Sequence, residues 1–424
     1  MNATVGVKGD GIACTPVSGL TQTWLGLLLV ATFALLPVYL FPSGGYQIVD
    51  ILLAVTVVTA LFWRGAPSFF SPYLLWIVPF ISWAFLVNAL QFLRRSDIWF
   101  AKATAILVYG PTLSFAFARV FALLLRKGSL PYAYCGALAS ILACLAARGD
   151  AEAGRAALSF NDPNQLGYFA AILQGFILIL RGYRRSANIA SVWYDLADSA
   201  AVLFAHIFLA LSFSRSAMGA FLVLDLCLLK TMVKDPRGSV GFWILLVLSP
   251  LYFTAVDSEF IQRRLDARPR HFEADVFLQD LKARIGKPLH AMKGLQIVVG
   301  TGAGLGYQRE QEIAGTIPEE PEEIHEFLAE LLESQGLVPW QQEGAIESHN
   351  LFADIFRAYG LVGLMLFLPW ILKLVWDSRG VPDALWVWTA LMTYNMGNNG
   401  IRFRSLWILI ALIAAVQGLG KQST

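Results

Sequence analysis

The sequence predicts an all-α integral membrane protein, with about twelve transmembrane helices and one large hydrophilic loop between helices 9 and 10. Three observations carry this expectation. Hydrophobic residues make up 57% of the 424 residues and charged residues only 15%, against roughly 25% charged in average globular domains. Apolar runs of roughly 17 to 25 residues recur with short polar breaks, each long enough at ~1.5 Å per residue to cross a hydrocarbon core of ~30 Å. The runs are continuously apolar instead of alternating with period two, which selects helices over a barrel.

The runs lie at about 20–41, 46–64, 71–91, 99–125, 129–147, 163–181, 195–212, 214–232, 240–256, 349–376, 382–398 and 403–419. They divide the chain into a first membrane region of nine helices (1–256), the hydrophilic loop (257–348) and a second membrane region with helices 10–12 (349–424). Turn chemistry fills the breaks, as in Pro42-Ser43-Gly44-Gly45 and Asp235-Pro236-Arg237-Gly238. The polar stretch from Met1 to Thr23 is long and weakly charged, and the run from Trp24 to Leu40 is long enough to span, so a cleaved signal peptide is not expected.

Counting helices with the N-terminus inside places Arg64, Arg126-Lys127, Arg181 with Arg184-Arg185, Lys230 with Lys234 and Arg237, and Lys373 with Arg379 in cytoplasmic breaks. The opposite short breaks hold Arg94-Arg95, Arg148 with Arg155, Arg215, and Arg402 with Arg404. The excess of positive charge inside is moderate but present. Lysine nearly vanishes from the outer breaks. Arginine presents a fixed fork of donors that suits phosphate oxygens, so the outer set reads as an anion site, with interface snorkelling as the plainer account. The net charge of +2 gives no reason to expect nucleic-acid binding.

The hydrophilic loop splits by charge. Its first half carries Arg263, Arg264, Arg268, Arg270, Lys282, Arg284, Lys287, Lys293 and Arg309; from Glu310 to Glu347 there are many glutamates and no Lys or Arg. Glu322 to Glu333 reads as an amphipathic helix with Ile324, Phe327, Leu328, Leu331 and Leu332 in one stripe. A lid over a membrane-facing cavity and a solvated cap fit this pattern equally.

Gly300-Thr301-Gly302-Ala303-Gly304-Leu305-Gly306 follows a β-like run, Gln296 to Val299. The G-x-G-x-x-G spacing fails at Leu305, and no Walker-type Lys-Ser/Thr follows, so a tight, close-packed turn is expected instead of a nucleotide site. Phe213-Ser214-Arg215-Ser216-Ala217-Met218-Gly219 leaves almost no room for a loop, which puts Arg215 at the start of a helix. A helix N-terminus plus a guanidinium suits a diphosphate, while Ser214 also suits a cap. Glu347-Ser348-His349-Asn350 precedes an apolar helix, so His349 sits at the outer surface as a candidate general base or a capping residue. Cys14, Cys135, Cys144 and Cys227 read as small apolar residues without disulfide or metal-ligand spacing. Asp162 and Asp195 read as isolated, as do His206 and Asp225 inside membrane runs. No acidic pair suggests a metal, and no cofactor is expected.

Three stretches together resemble the O-antigen ligase/polymerase family of bacterial membrane glycosyltransferases: Asn161-Asp162-Pro163-Asn164-Gln165-Leu166-Gly167, Phe213 to Gly219, and Ser348-His349-Asn350-Leu351-Phe352. The glycine run from Gly300 and Tyr359-Gly360-Leu361-Val362-Gly363-Leu364 are also similar. The resemblance implies a GT-C-like fold in the bacterial inner membrane, with its active site facing the periplasm. It implies transfer of a glycan from undecaprenyl diphosphate to an acceptor hydroxyl, on lipid A–core in the ligases and on another lipid-linked repeat unit in the polymerases. It implies that neither a nucleotide sugar nor an essential metal takes part. The family's functional arginine corresponds to Arg215 and its loop-end histidine to His349, with Arg155, Arg264, Arg268, Asn164 and Asn350 expected to help bind the diphosphate or glycan. Ser216 departs from the family, where glycine is frequent. A flippase or transporter is the competing class, and a structural membrane protein the third.

Overall fold

A computed structural model describes residues 19–38, 47–62, 72–95, 98–126, 129–146, 151–152, 155–156, 158–160, 163–212, 214–234, 294–303, 350–401 and 403–422. Its helices are α1 (Gly19–Leu35), α2 (Ile48–Phe62), α3 (Pro72–Arg95), α4 (Ile98–Arg126), α5 (Leu130–Ala146), α6 (Pro163–Ser186), α7 (Val192–Ser212), α8 (Arg215–Lys234), α9 (Leu295–Val299), α10 (Leu351–Asp377), α11 (Ala384–Asn395) and α12 (Arg404–Gln422). A two-residue bridge joins β1 (Ala151–Glu152) to β2 (Arg155–Ala156), antiparallel, with Glu152 opposite Arg155.

The helices follow the apolar runs. Every expected run that falls among the described residues is a helix, because an apolar stretch in hydrocarbon satisfies its backbone internally only as a helix or a closed barrel. Among the described residues, six helices are long and apolar enough to cross a membrane, in α3, α4, α6, α7, α8 and α10. Helices α1, α2, α5 and α11 are shorter than the runs expected for them. The clearest case is α11, whose 12 residues rise only ~18 Å where a full span over 382–398 was expected. Pro382-Asp383 delays its start, with Asp383 at φ 61°, and a turn from Met396 ends it early. The run 240–256 and the amphipathic segment Glu322–Glu333 lie outside the described residues.

Helix α6 is the centre of the bundle, with 94% of its apolar window buried. Apart from Asn164, Gln165 and Gln174 it is apolar on every side over its first five turns, as expected of a helix enclosed by others. Helices α7, α8, α11 and α12 pack around it, and Gly175 admits Val387 and Leu409 from two of them. Helix α12 fills the space between α6 and α4, with Trp407 seated over Gly110. The outward faces are apolar too. Along α8, Leu222, Leu226, Leu229 and Val233 are exposed at helical spacing while Ala220, Leu224, Cys227 and Leu228 are buried. Apolar residues on both faces are what a lipid-facing helix requires. Cys144 and Cys227 are buried free thiols, as their small apolar character suggested, whereas Cys135 is exposed.

Helix α10 is broken. Gly360 holds φ 67° and ψ −169° inside it, a conformation open essentially to glycine alone. The carbonyls freed by the break are taken up by the chain just after α9 and by Trp83 on α3. Thr301 N and Oγ1 donate to Arg357 O (3.0 and 3.1 Å), Gly302 N donates to Ala358 O (2.8 Å), and Trp83 Nε1 donates to Tyr359 O (2.9 Å). Asn88 holds the other side, accepting from Ala303 N (3.0 Å) and donating to the Tyr359 hydroxyl (3.3 Å). Gly300 and Gly302 adopt φ 90° and 80°, so the close-packed turn expected there is present. The β-like reading of Gln296 to Val299 is corrected: those residues form one helical turn, closed by Gly300 N donating to Gln296 O (2.8 Å). With no sheet partner beside it among the described residues, a short apolar run closes its hydrogen bonds locally.

Candidate functional site

Pro163 opens α6 at a position where its missing N–H costs nothing. One turn later, Gly167 lies against the link between α7 and α8. A Cβ on it would stand 2.8 Å from Ser212 Oγ and 2.9 Å from both Ser214 Cβ and Ala217 Cβ. Only glycine lets α6 approach this closely. Ser214 is buried and caps α8: its Oγ accepts from Ala217 N (3.4 Å), its carbonyl accepts from Met218 N (2.9 Å), and Ser212 Oγ accepts its own N–H (3.3 Å). Arg215 is therefore the first residue of α8, half-buried. The capping role of Ser214 and the terminal placement of Arg215 coexist.

Asn350 starts α10. Its backbone is extended (φ −137°, ψ 122°), and its Oδ1 accepts from Ala353 N at 3.0 Å. Its Nδ2 donates to Met396 O at 2.8 Å, tying α10 to the turn after α11. Asp354, one helical turn on, accepts from Asn399 Nδ2 at 2.8 Å and lies 3.8 Å from Arg357 Nη2. Asp354, Arg357, Asn399, Tyr359 and Trp407 line a cavity of about 50 Å³, room for one or two waters.

The turn from Met396 to Ile401 joins these pieces. Gly397 faces Ser216, whose Oγ would stand 2.2 Å from a Cβ there, and Gly400 lies on the Tyr168 ring. Tyr168 stacks on Tyr394 with ring centroids 4.1 Å apart, and the Tyr394 hydroxyl donates to Asn164 O at 2.9 Å. Asn395 Oδ1 accepts from Gly400 N (2.7 Å) and its Nδ2 donates to Leu391 O (2.7 Å). The starts of α6, α8 and α10 thus meet at one end of the bundle around one turn. Asn164, Arg215 and Asn350 are brought to that end together. Asn164 enters through its carbonyl and Asn350 as a cap, so both hold backbone in place.

Arg155 lies on β2, which rests against α7. His349, Arg264 and Arg268 lie outside the described residues. Tyr168, Asp354, Arg357, Tyr394, Asn395 and Asn399 were not singled out from sequence. The run Asn395-Met396-Gly397-Asn398-Asn399-Gly400 is a strong turn signal, and Asp354 and Arg357 stand at i, i+3 spacing.

Three expectations about charge are corrected. Asp195 is not isolated: Arg184 donates to it at 2.8 Å and to Asp198 at 2.5 Å. His206 and Asp225 are not isolated either. They pair at 3.2 Å, and Gln174 Nε2 donates to the same carboxylate at 2.8 Å. A polar group in an apolar bundle finds another across the helix interface. Arg404, grouped with the outer arginines as an anion binder, is held by Asp50 through Nε and Nη2, both at 2.6 Å. Its task is to join α12 to α2, with Tyr109 donating to the same carboxylate at 2.9 Å.

The arrangement offers a helix N-terminus carrying a guanidinium, beside a polar turn and a small charged cavity. Anionic groups suit such a surface through the guanidinium and the positive end of the helix dipole. No protein-family model matches this chain, and no curated protein sequence matches it.

Proposed function

We propose that this chain is a multi-pass inner-membrane glycosyltransferase of the O-antigen ligase/polymerase type. It moves a glycan from undecaprenyl diphosphate to a hydroxyl of lipid A–core, with the polymerase reaction onto another lipid-linked repeat as the alternative acceptor choice. In this reading the chain crosses the membrane about twelve times. The motif-bearing ends and the 257–348 loop face the periplasm. The carrying observation is the convergence of three separate motifs at one end of the bundle, through Gly167 on the Ser212–Ala217 link and Asn350 and Ser216 on the Met396–Ile401 turn.

The chemistry follows from the donor. The acceptor oxygen attacks the anomeric carbon and the bond to the diphosphate oxygen breaks, leaving its electron pair on that oxygen. Arg215 stabilises the charge that develops there, a contribution typically worth about 3 kcal/mol for one well-placed donor. His349 takes the proton from the attacking hydroxyl. Arg155, Arg264 and Arg268 assist at the diphosphate.

The test is a gel of surface lipopolysaccharide with extracted lipid-linked glycan from a strain lacking the gene. Lost O-chains with long lipid-linked glycan accumulating outside mean ligase. Single repeats on lipid A–core without a ladder mean polymerase. Unchanged lipopolysaccharide removes the ligase assignment. A second reading, a lipid-linked glycan flippase, draws on the His206–Asp225–Gln174 cluster and the broken α10. It is favoured if glycan is trapped on the cytoplasmic side.

A further inference from the structure

The end of the bundle away from Arg215 holds a second polar site that the proposed transfer reaction does not use. Helix α6 closes with Arg181, Arg184 and Arg185, the chain turns through Asn188, Ile189 and Ala190, and α7 begins with Asp195 in its first turn. These seven residues line one cavity of about 280 Å³, somewhat below the size of a typical small-molecule pocket. The turn is built firmly. Asn188 holds φ 54°, and Ile189 N donates to Arg184 O at 2.9 Å.

Arginine at a membrane boundary is ordinary when it snorkels outward. These do not. Arg181 and Arg184 are 2% and 3% exposed. Arg181 reaches Thr231 on α8 at 3.4 Å. Arg184 spans Asp195 and Asp198 and lies over the Tyr194 ring at 5.1 Å. Its Nε is buried without an acceptor among the described residues, and a buried guanidinium nitrogen left so is costly. The cavity lining itself carries three guanidiniums and one carboxylate, Asp195, with Asp198 bound to Arg184 behind it. The opening turn of α7 adds the positive end of its dipole.

We propose that this cavity at the α6–α7 turn binds a phosphate group, carried by an anionic phospholipid headgroup or free in solution. Planar guanidiniums match phosphate oxygens in paired contacts, and basic pockets between transmembrane helices are recurrent phospholipid headgroup sites. The cavity admits a headgroup while acyl chains lie along the exposed apolar residues Val192, Trp193 and Leu196 at the start of α7.

The test uses the full chain purified in neutral detergent. Binding of phosphatidylglycerol, phosphatidylcholine and inorganic phosphate is followed by native mass spectrometry and by thermal unfolding. Two variants spare the buried pairs: Arg185→Gln, which removes one charge from the cavity, and Ala190→Glu, which adds a carboxylate at an exposed lining position. The expected result is retention of phosphatidylglycerol over phosphatidylcholine, weakened about tenfold in Arg185→Gln, the loss of roughly one charge-assisted hydrogen bond, and further in Ala190→Glu. Stabilisation by inorganic phosphate that both variants lose would assign the site to the free ion. The proposal is overturned if neither probe distinguishes the variants from the parent, or if both lipids bind equally.

Discussion

Arg215 gains its proposed role from where Ser214 and Gly167 put it. The serine caps α8, and the glycine lets α6 press against the cap, so the guanidinium departs from a fixed point at a helix N-terminus. Arg215→Ala is expected to lower glycan transfer by about 100-fold or more, with the protein still present in the membrane. Arg215→Lys should recover part of that, since it restores charge without the fork. Normal transfer by the alanine variant would remove the arginine from the mechanism. Asn350 has a different task. Replacing it by alanine deletes an N-cap worth about 1 kcal/mol and leaves Met396 O without its donor. A lower unfolding temperature in detergent is the expected outcome, measured against Asn350→Asp, which keeps the cap but turns an acceptor oxygen instead of a donor toward Met396 O.

At the scale of the element, the break in α10 is the most constrained feature. Gly360 and Gly300 face each other so closely that a Cβ on Gly360 would lie 2.2 Å from Val298 O, and one on Gly300 2.3 Å from Ala358 O. Both glycines also have positive φ. Gly360→Ala should therefore destabilise by at least about 2 kcal/mol, seen as lost expression or early unfolding. Gly380→Ala, which has open space around it, is the control and should behave as wild type. Equal behaviour of the two would mean that the break is not a fixed part of the fold. The exchange of hydrogen bonds there explains why an irregular backbone is tolerated inside an apolar bundle: Thr301, Gly302 and Trp83 replace the partners that α10 gives up.

For the whole molecule, Asp50 and Arg404 join α2 to α12 across 354 positions in sequence. Both side chains are mostly buried, at 13% and 17% exposure, so removing one leaves the other uncompensated, typically at a cost of 3–5 kcal/mol. Asp50→Asn alone should unfold at lower temperature than Asp50→Asn combined with Arg404→Gln. If the double variant is the less stable, the pair is not acting through charge. The proposed orientation has its own test. A cysteine at Met396, exposed at the motif-bearing end, should react with an impermeant maleimide added to intact cells, and one at Ser186, exposed at the other end, should not. The reverse pattern would turn the protein over and place the proposed reaction on the wrong face.

Length and continuity of apolar runs determined the helical class, the membrane character and most helix positions, because hydrocarbon leaves a backbone so few ways to satisfy its N–H and C=O groups. The glycine turn at Gly300 and the placement of Arg215 at a helix start were legible for the same kind of local reason. Which groups meet was not. His206 with Asp225, Arg184 with Asp195 and Asp198, and Arg404 with Asp50 pair across helices, and the register between helices depends on side-chain shape all along both partners rather than on the charged residues themselves. The break at Gly360 needed the tertiary structure as well, since a glycine inside an apolar run is compatible with an unbroken helix. Only the neighbouring strand of chain, offering Thr301 and Gly302 to the freed carbonyls, decides that this one is not.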